Sequence, residues 1–300
     1  MSSSDLLAPH FQDAGKAREY LEALRWPDGV VCPHCGVIGG HYKLQGKSTR
    51  PGLWKCKDCR KQFTVIVGTV FSDSKIPLNK WLLAVHLICA SKKAISSHQI
   101  HRMLGVTYKS AWFMTHRIRE AMKSENGGLL GSGGGTVEAD ETYWGNNGKN
   151  RKGARGYDHK MKVVSLVERE GEKRSIVVRN VNATSLRAVL EENVSKSARL
   201  MTDEHSAYTK IGREYADHGV VSHSTGEYAR GNAHSNTVES SFSLLKRGLI
   251  GTFHHVGEQH LQRYATEFDF RWNHRKISDK ERAEILLQQL GGKRLVYSKL

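Results

Sequence analysis

The 300-residue sequence contains no apolar segment long enough to cross a lipid bilayer. Its longest apolar run, residues 81–90, is about half the length that a membrane helix needs, and it includes His86. The N-terminus also lacks a basic stretch followed by an apolar one, which is the pattern of a secretory signal peptide. We therefore expect a cytoplasmic protein without a membrane span.

Acidic residues are scarce compared with basic ones. The chain has 30 Asp and Glu against 46 Lys and Arg, so its net charge is +16 and its isoelectric point lies near 9.7. Residues 1–130 are the more basic part, with 19 basic and 9 acidic side chains. Such a charge predicts a polyanionic partner, with nucleic acid favoured over an anionic membrane surface.

Cysteines are also few, and five in 300 residues exclude a disulfide-built scaffold. Four of them form two C-x2-C pairs, Cys32 with Cys35 and Cys56 with Cys59, separated by twenty residues. Four thiolates complete a tetrahedral shell around Zn²⁺ and leave no position for a reacting water, so we predict a structural zinc site. The fifth, Cys89, lies in an apolar segment and is expected in the core.

Residues 94–122 predict two helices separated by a turn at Gly105. Thr107 is a suitable N-cap for the second helix. If the pair is a DNA-binding helix-turn-helix, the start of the second helix meets base edges, and basic residues further along contact phosphates. The first group is Thr107, Tyr108, Lys109 and Ser110, and the second is His116, Arg117 and Arg119. A helical hairpin that serves only for packing remains the alternative.

Three carboxylates occupy positions suited to phosphodiester chemistry. Asp140 lies in a strand-like segment, Asp203 ends another strand, and Glu239 lies in a helical segment. Lys246 follows Glu239 by seven residues, so both occupy the same side of that helix. Carboxylates of this kind hold two divalent cations, Mg²⁺ or Mn²⁺, about 4 Å apart during phosphoryl transfer. Spacing alone leaves ordinary structural roles equally open. It also leaves three further acids either as alternative ligands or as residues that support a ligand: Glu138, which shares a strand face with Asp140, and Glu141 and Glu204.

Several segments together carry a family resemblance. They are YLEALRWPDGVVCPHCG, CKDCRKQFTVIVGTVF, VEADETYWG, TDEHSAY, HSNTVESSFSLLKRGLIGTFHHV and HLQRYATEFDFRWNHR. The chain resembles the bacterial insertion-sequence transposases of the DDE class, in the subgroup with an N-terminal zinc ribbon and an ISXO-like transposase domain. The matching segments extend from about residue 20 to residue 276, and so cover most of the chain.

The resemblance implies an RNase H-like catalytic domain with Asp140, Asp203 and Glu239 as its catalytic triad and Lys246 as the trailing basic residue. Because some relatives use Asn as the third member, Asn236 competes with Glu239 for that role. The implied reaction is Mg²⁺- or Mn²⁺-dependent cleavage and strand transfer at the terminal inverted repeats of a mobile element. Double-stranded DNA is then the partner, and a homodimer or larger synaptic oligomer is expected because two ends must be joined.

The expected fold is therefore multidomain, of the α+β and α/β classes. We predict an N-terminal helix and zinc ribbon, a helix-turn-helix region, a glycine-rich linker, an RNase H-like mixed-sheet catalytic domain and a C-terminal tail. Their expected bounds are 1–72, 73–124, 125–135, 136–277 and 278–300.

Two rival functions stay open at this stage. One is a non-catalytic zinc-ribbon DNA-binding regulator derived from a transposase. The other is a structure-selective nuclease that cleaves DNA without joining strands. The intact set of three acids argues against the regulator, and the N-terminal DNA-binding modules argue against the nuclease.

Overall fold

The computed structural model of the protein describes residues 5–124, 127–145, 157–221 and 234–297. The chain divides into two units. The ribbon unit combines Met1–Met122 with Lys276–Leu300, and the sheet unit consists of Lys123–Arg275.

The ribbon unit contains a three-stranded antiparallel ribbon and six helices in the described residues. The ribbon follows two N-terminal helices, and the remaining helices come after it. The elements are α1 (Pro9–Gln12), α2 (Ala14–Arg25), β1 (His41–Lys43), β2 (Trp54–Cys56), β3 (Gln62–Phe63), α3 (Leu78–Ala90), α4 (Ser97–Leu104), α5 (Tyr108–Ala121) and, near the C-terminus, α10 (Asp279–Gln288).

Local sequence accounts for several helix ends in this unit. The side chains of Asp13, Ser96 and Thr107 accept hydrogen bonds from the first amides of α2, α4 and α5, as N-cap residues do. Gly105 ends α4 with a φ of +58°, a conformation that glycine adopts without steric cost. The predicted pair of helices with a turn between them is therefore present.

Helix α10 lies in the segment that we predicted as a tail. It begins with a capping box between Ser278 and Glu281, and its Leu286 and Leu287 are buried. Arg282 donates a hydrogen bond of 2.7 Å to the Cys89 carbonyl in the last turn of α3. The structure thus groups these C-terminal residues with the N-terminal ribbon unit.

The sheet unit is built on a five-stranded mixed sheet in which four described helices accompany the strands. The strand order is β6-β5-β4-β7-β8, with β4, β5 and β6 antiparallel and β4, β7 and β8 parallel. The elements are β4 (Thr136–Trp144), β5 (Met161–Glu168), β6 (Lys173–Val178), α6 (Ala183–Asn193), β7 (Arg199–Asp203), α7 (Tyr208–Ile211), β8 (Asp217–Val221), α8 (Asn236–Gly248) and α9 (Glu258–Asn273). The prediction of a mixed α+β protein with a cysteine ribbon and a mixed-sheet domain is confirmed.

Alternation along β4 decides which of its side chains reach each face of the sheet. Val137 and Ala139 are buried in the main apolar cluster, which includes Leu186 from α6. Glu138 accepts hydrogen bonds from the start of α8, on the opposite face. Asp140, two residues further along, therefore lies on the α8 side of the sheet.

Helix α9 packs along the outer edge of the sheet, which is strand β6. Its Asp269 accepts the backbone N–H of Ser175 at 2.7 Å, Gln262 accepts that of Val177 at 2.8 Å, and Asn273 accepts that of Lys173 at 2.7 Å. These side chains take the place of a sixth strand, because every second amide of an edge strand otherwise lacks a protein partner. The edge is thereby protected from pairing with another chain.

Candidate functional site

The four paired cysteines come together in the ribbon unit. Their sulfur atoms all lie within 4.8 Å of one another, with Sγ–Sγ distances of 3.6 Å for Cys32 and Cys59 and 3.7 Å for Cys35 and Cys56. Four sulfurs bound tetrahedrally to zinc lie about 3.8 Å apart, given Zn–S bonds of about 2.3 Å. The thiols therefore fit a closed, structural zinc site without rearrangement.

The ribbon strands fix this geometry locally. Strand β2 ends at Cys56, and the amide of Cys56 donates to the Lys61 carbonyl at 3.1 Å across the second cysteine turn. In the first turn the amide of Gly36 donates to the Cys32 carbonyl at 2.9 Å. Gly36 and Arg60, which follow the second cysteine of each pair, both have positive φ, so the two turns share one backbone shape.

A cluster of carboxylates forms in the sheet unit, where the last residue of β7 lies beside the middle of the neighbouring parallel strand β4. Strands β4 and β7 pair from Thr136 to Glu138 and from Arg199 to Met201. Continuing that register by two residues places Asp140 opposite Asp203. Oxygens of Asp140, Glu141 and Asp203 all lie within 4.8 Å of one another, so the strands bring together two of the three predicted triad members, with Glu141 beside them.

Burial and mutual repulsion perturb this cluster. Burial, followed by the charges of Glu141, Asp203 and Glu239, raises the pKa of Asp140 to about 7. Burial and the charge of Asp203 raise the pKa of Glu141 to about 7, against the opposing hydrogen bond from Tyr208. Carboxyl groups so placed favour a bound cation, because a cation removes both the repulsion and the cost of burying charge.

The donor set suits a hard divalent cation. Carboxylate oxygens are the ligands that Mg²⁺ and Mn²⁺ prefer. Among the described residues, no Lys, Arg or His forms an ion pair with Asp140, Glu141 or Asp203. The negative charge of the cluster is thus not balanced within the part of the chain that the structure describes.

Glu239 and Lys246 lie on α8, at its first and last turns. Glu239 is partly buried and accepts a hydrogen bond of 2.8 Å from Ser235, and its charge contributes to the raised pKa of Asp140. Its oxygens are not among those of the cluster. Lys246 and Asn236, the competitor for the third position, are both exposed. The choice between Glu239 and Asn236 as the third ligand therefore stays a prediction.

The three alternative ligands are in different situations. Glu141 is in the cluster, where the Tyr208 hydroxyl donates to it at 2.5 Å. Glu204 is exposed and is not a member. Glu138 is completely buried and accepts hydrogen bonds from the protein at both carboxylate oxygens, so it is not available to a cation.

Tyr208 was missed by the sequence analysis. Its ring is buried in the main apolar cluster while its hydroxyl reaches Glu141. The only signal was its position five residues after Asp203 within TDEHSAY. A tyrosine in an apolar segment predicts core packing, and only the packing of α7 near β4 reveals the hydrogen bond.

The helix pair of the ribbon unit presents one exposed end. Thr107, Tyr108 and Lys109 are exposed at the start of α5, and Ser110 is partly exposed. The Tyr108 ring stacks on His98 with their centroids 4.1 Å apart. The start of α5 is therefore accessible to a ligand, as a recognition helix requires.

Further along α5 the prediction of phosphate contacts is wrong. His116, Arg117 and Arg119 are buried, with 0%, 4% and 1% exposure. Arg117 donates hydrogen bonds to the carbonyls of Ser72 and Leu295, at 2.9 and 3.0 Å. Leu295, which accepts one of these hydrogen bonds, is far from α5 in sequence, and the sequence therefore shows no sign of the contact.

Comparison with known proteins finds two family models that match different parts of the chain. A family model described as the ISXO2-like transposase domain matches residues 132–273, which include Asp140, Asp203 and Glu239. A second, described as the transposase zinc-ribbon domain, matches residues 13–62, which include all four paired cysteines. The chain belongs to the insertion-sequence transposases. Residues 63–131 of this transposase, which contain α3, α4 and α5, lie outside both matches.

The transposase is also similar over nearly its whole length to one protein of a mobile element. This relative is described as an uncharacterized protein in transposable element ISH50 of Halobacterium salinarum. It is 29% identical over an alignment of 298 positions, and the match covers 93% of this chain and 97% of the relative. In the part of the transposase that the structure describes, no helix has the length and hydropathy needed to cross a bilayer.

Proposed function

We propose that this transposase cleaves DNA at the ends of its element and transfers the freed strand ends to target DNA. The observation that carries the proposal is the pairing of β4 with β7, which sets the Asp140 and Asp203 carboxylates within 4.8 Å of each other together with Glu141. Phosphoryl transfer without a protein nucleophile requires such a cluster of oxygen ligands.

Asp140 and Asp203 hold divalent cations, with Glu239 completing the ligand set from the first turn of α8. When bound, Mg²⁺ or Mn²⁺ supplies activation of the attacking oxygen and stabilisation of the leaving oxygen. The chain itself supplies orientation, since both aspartates belong to paired strands of one sheet, Asp140 within β4 and Asp203 at the end of β7. Lys246, exposed two helical turns from Glu239, contacts a phosphate of the bound DNA.

Recognition of the terminal inverted repeats belongs to residues 1–123. The exposed start of α5, with Thr107, Tyr108 and Lys109, enters the major groove, and the basic side chains of the ribbon contact phosphates. The high positive charge of this part of the chain supports the assignment. Joining two element ends requires two copies of the active site, so we propose a dimer or larger assembly on DNA. The cytoplasmic location remains a prediction.

Substitution of the acids tests the proposal directly. Asp140→Asn, Asp203→Asn and Glu239→Gln should each lower Mg²⁺-dependent cleavage and strand transfer by about a thousandfold or more, because several kcal/mol of transition-state stabilisation is lost. Binding to end DNA should be unchanged. Glu172→Gln, at an exposed position on the same unit, is the matched control and should retain activity. Lys246→Ala should cost only about tenfold, as the loss of one phosphate contact.

The same assay decides between the remaining alternatives. A wild-type chain that binds the ends but never cuts them would be the non-catalytic regulator. Cleavage without strand transfer would indicate a nuclease. If Asn236→Ala loses activity while Glu239→Gln keeps full activity, the third ligand is Asn236 and not Glu239.

A further inference from the structure

The carboxylate of Glu138 is enclosed by donors in the interior of the sheet unit. Glu138 has 0% exposure and precedes Asp140 by two residues on β4. It accepts hydrogen bonds from Arg169 Nε at 2.7 Å, Thr237 N at 2.8 Å, Thr237 Oγ1 at 2.9 Å and Val238 N at 3.0 Å. A carboxylate has about four acceptor positions, so the side chain is fully occupied by protein donors.

Two of these donors are the first amides of α8, which have no acceptor within the helix itself. Helix α8 begins at Asn236, and the side chain of the preceding residue, Ser235, makes no capping hydrogen bond. Glu138 performs that function from another element, and its negative charge lies at the positive end of the helix dipole. Strand β4 is thereby fastened to the first turn of α8.

Arg169 completes the link by its position at the end of β5. Its Nε pairs with Glu138, and its Nη2 donates to the His234 carbonyl at 3.0 Å, just before α8. The buried charge of Glu138 thus has its counter-ion beside it, as a buried carboxylate requires. The same cation also holds the chain that enters the helix.

We propose that Glu138 is a positioning residue for the cation site. It fixes Glu239, the residue after Val238 on α8, relative to Asp140, which lies on the same face of β4 as Glu138. This inference rests on the proposed function, in which Asp140 and Glu239 share bound cations. A ligand that is free to move by about 1 Å contributes far less to a site than one that is held.

A double-mutant cycle on cation binding tests the inference. The zinc-loaded full chain is titrated with Mn²⁺ alone, and binding is followed by electron paramagnetic resonance. Glu239→Gln should weaken Mn²⁺ binding about tenfold in the wild-type background but less than about threefold after Glu138→Gln, because Glu239 has then already lost its fixed position. Glutamine fails at residue 138 because four donors meet a side chain with one acceptor oxygen.

Asp269→Asn provides a matched background. Asp269 is also a carboxylate with little exposure, 14% of its side chain, and it has a buried ion-pair partner, Lys173, and accepts hydrogen bonds from Ser175. Asp269 belongs to α9 and contacts the edge strand β6, and β5 separates β6 from β4. In the Asp269→Asn background, Glu239→Gln should still weaken Mn²⁺ binding about tenfold. If a general loss of stability were the cause, the effect of Glu239→Gln would shrink in both the Asp269→Asn and the Glu138→Gln backgrounds.

The outcomes separate this inference from the proposed function. Equal effects of Glu239→Gln in the wild-type and Glu138→Gln backgrounds would overturn it, as would the absence of any effect of Glu239→Gln on Mn²⁺ binding. If Glu138→Gln and Glu239→Gln are coupled in Mn²⁺ binding but the wild-type chain never cleaves DNA, the proposed function is refuted and the inference about Glu138 stands. If Glu138→Gln does not fold, Thr237→Val can replace it, because this change removes only the hydroxyl contact to Glu138. Strictly additive effects of Thr237→Val and Glu239→Gln on Mn²⁺ binding would then overturn the inference.

Discussion

Without a bound cation, the buried charge of Asp140 should make the wild-type transposase less stable than its Asp140→Asn variant. Asp140→Asn keeps the shape of the side chain and one acceptor oxygen, but removes a charge that is costly to bury. The pKa of Asp140 is raised in the folded chain from 3.8 to about 7, so its ionisation at neutral pH costs at most about 4 kcal/mol of stability. The variant should be more stable by up to that amount at pH 7 to 8.

The pH dependence follows from the direction of the shift. A carboxyl group whose pKa is raised on folding contributes its full share of stability below its unfolded pKa, near 3.8. That contribution is lost as the pH rises through the folded pKa of about 7. Wild type and Asp140→Asn should therefore have similar free energies of unfolding near pH 4 and diverge progressively toward pH 8.

Urea titrations read by hydrogen exchange within β4 and β5 measure the stability of the sheet unit, without added divalent cations. Glu172→Gln is the control for the loss of a carboxylate that the fold does not bury, because Glu172 is exposed just before β6. Added Mg²⁺ should narrow the difference, because it stabilises wild type by about 2.7 kcal/mol at a hundredfold excess over its dissociation constant and the variant hardly at all. A difference between wild type and variant that is independent of pH would refute the electrostatic reasoning.

Three further predictions concern other parts of the molecule. Metal analysis should find one zinc per chain, and Cys56→Ser should release it and unfold the ribbon; a folded, zinc-free wild-type chain would contradict this. Lys109→Ala should weaken binding to end DNA and lower the slope of log affinity against log salt by about one, as measured by fluorescence anisotropy, if Lys109 contacts a phosphate; an unchanged slope would remove it from the interface. Asp269→Asn should destabilise the sheet unit by about 3 to 5 kcal/mol in urea titrations, because Lys173 then keeps a buried, unpaired charge; a loss below about 1 kcal/mol would contradict this.

The zinc site and the capped helices were predictable because their determinants are close together in sequence. Each pair of cysteines forms its own turn, and two such turns specify a tetrahedral site almost without reference to the rest of the fold. Thr107 and Gly105 mark helix ends through contacts with neighbouring residues only. The strand that contains Asp140 and the strand that ends at Asp203 were also expected, and continuing the β4–β7 register places the two aspartates opposite each other.

Contacts between distant segments had no such local signature. The sequence predicts a tail at residues 278–300, whereas the structure forms α10 there. It gives no prediction of a strand at Asp217–Val221, where the structure forms β8. The basic residues Arg117 and Arg119 suggested a DNA surface and are buried. Charge and periodicity describe a residue's own chemistry, but its exposure depends on which other segment covers it.

The sequence by itself determined the ligand chemistry of this transposase, because thiolates and carboxylates keep their preferences for cations in any fold. Only the tertiary structure decided which carboxylates serve which role. Glu138, Asp140 and Glu141 are near neighbours on one strand, but the first caps α8, the second faces Asp203, and the third meets the Tyr208 hydroxyl. The pleat of β4 sends alternate side chains to opposite faces, and the elements packed on each face give three similar side chains different surroundings.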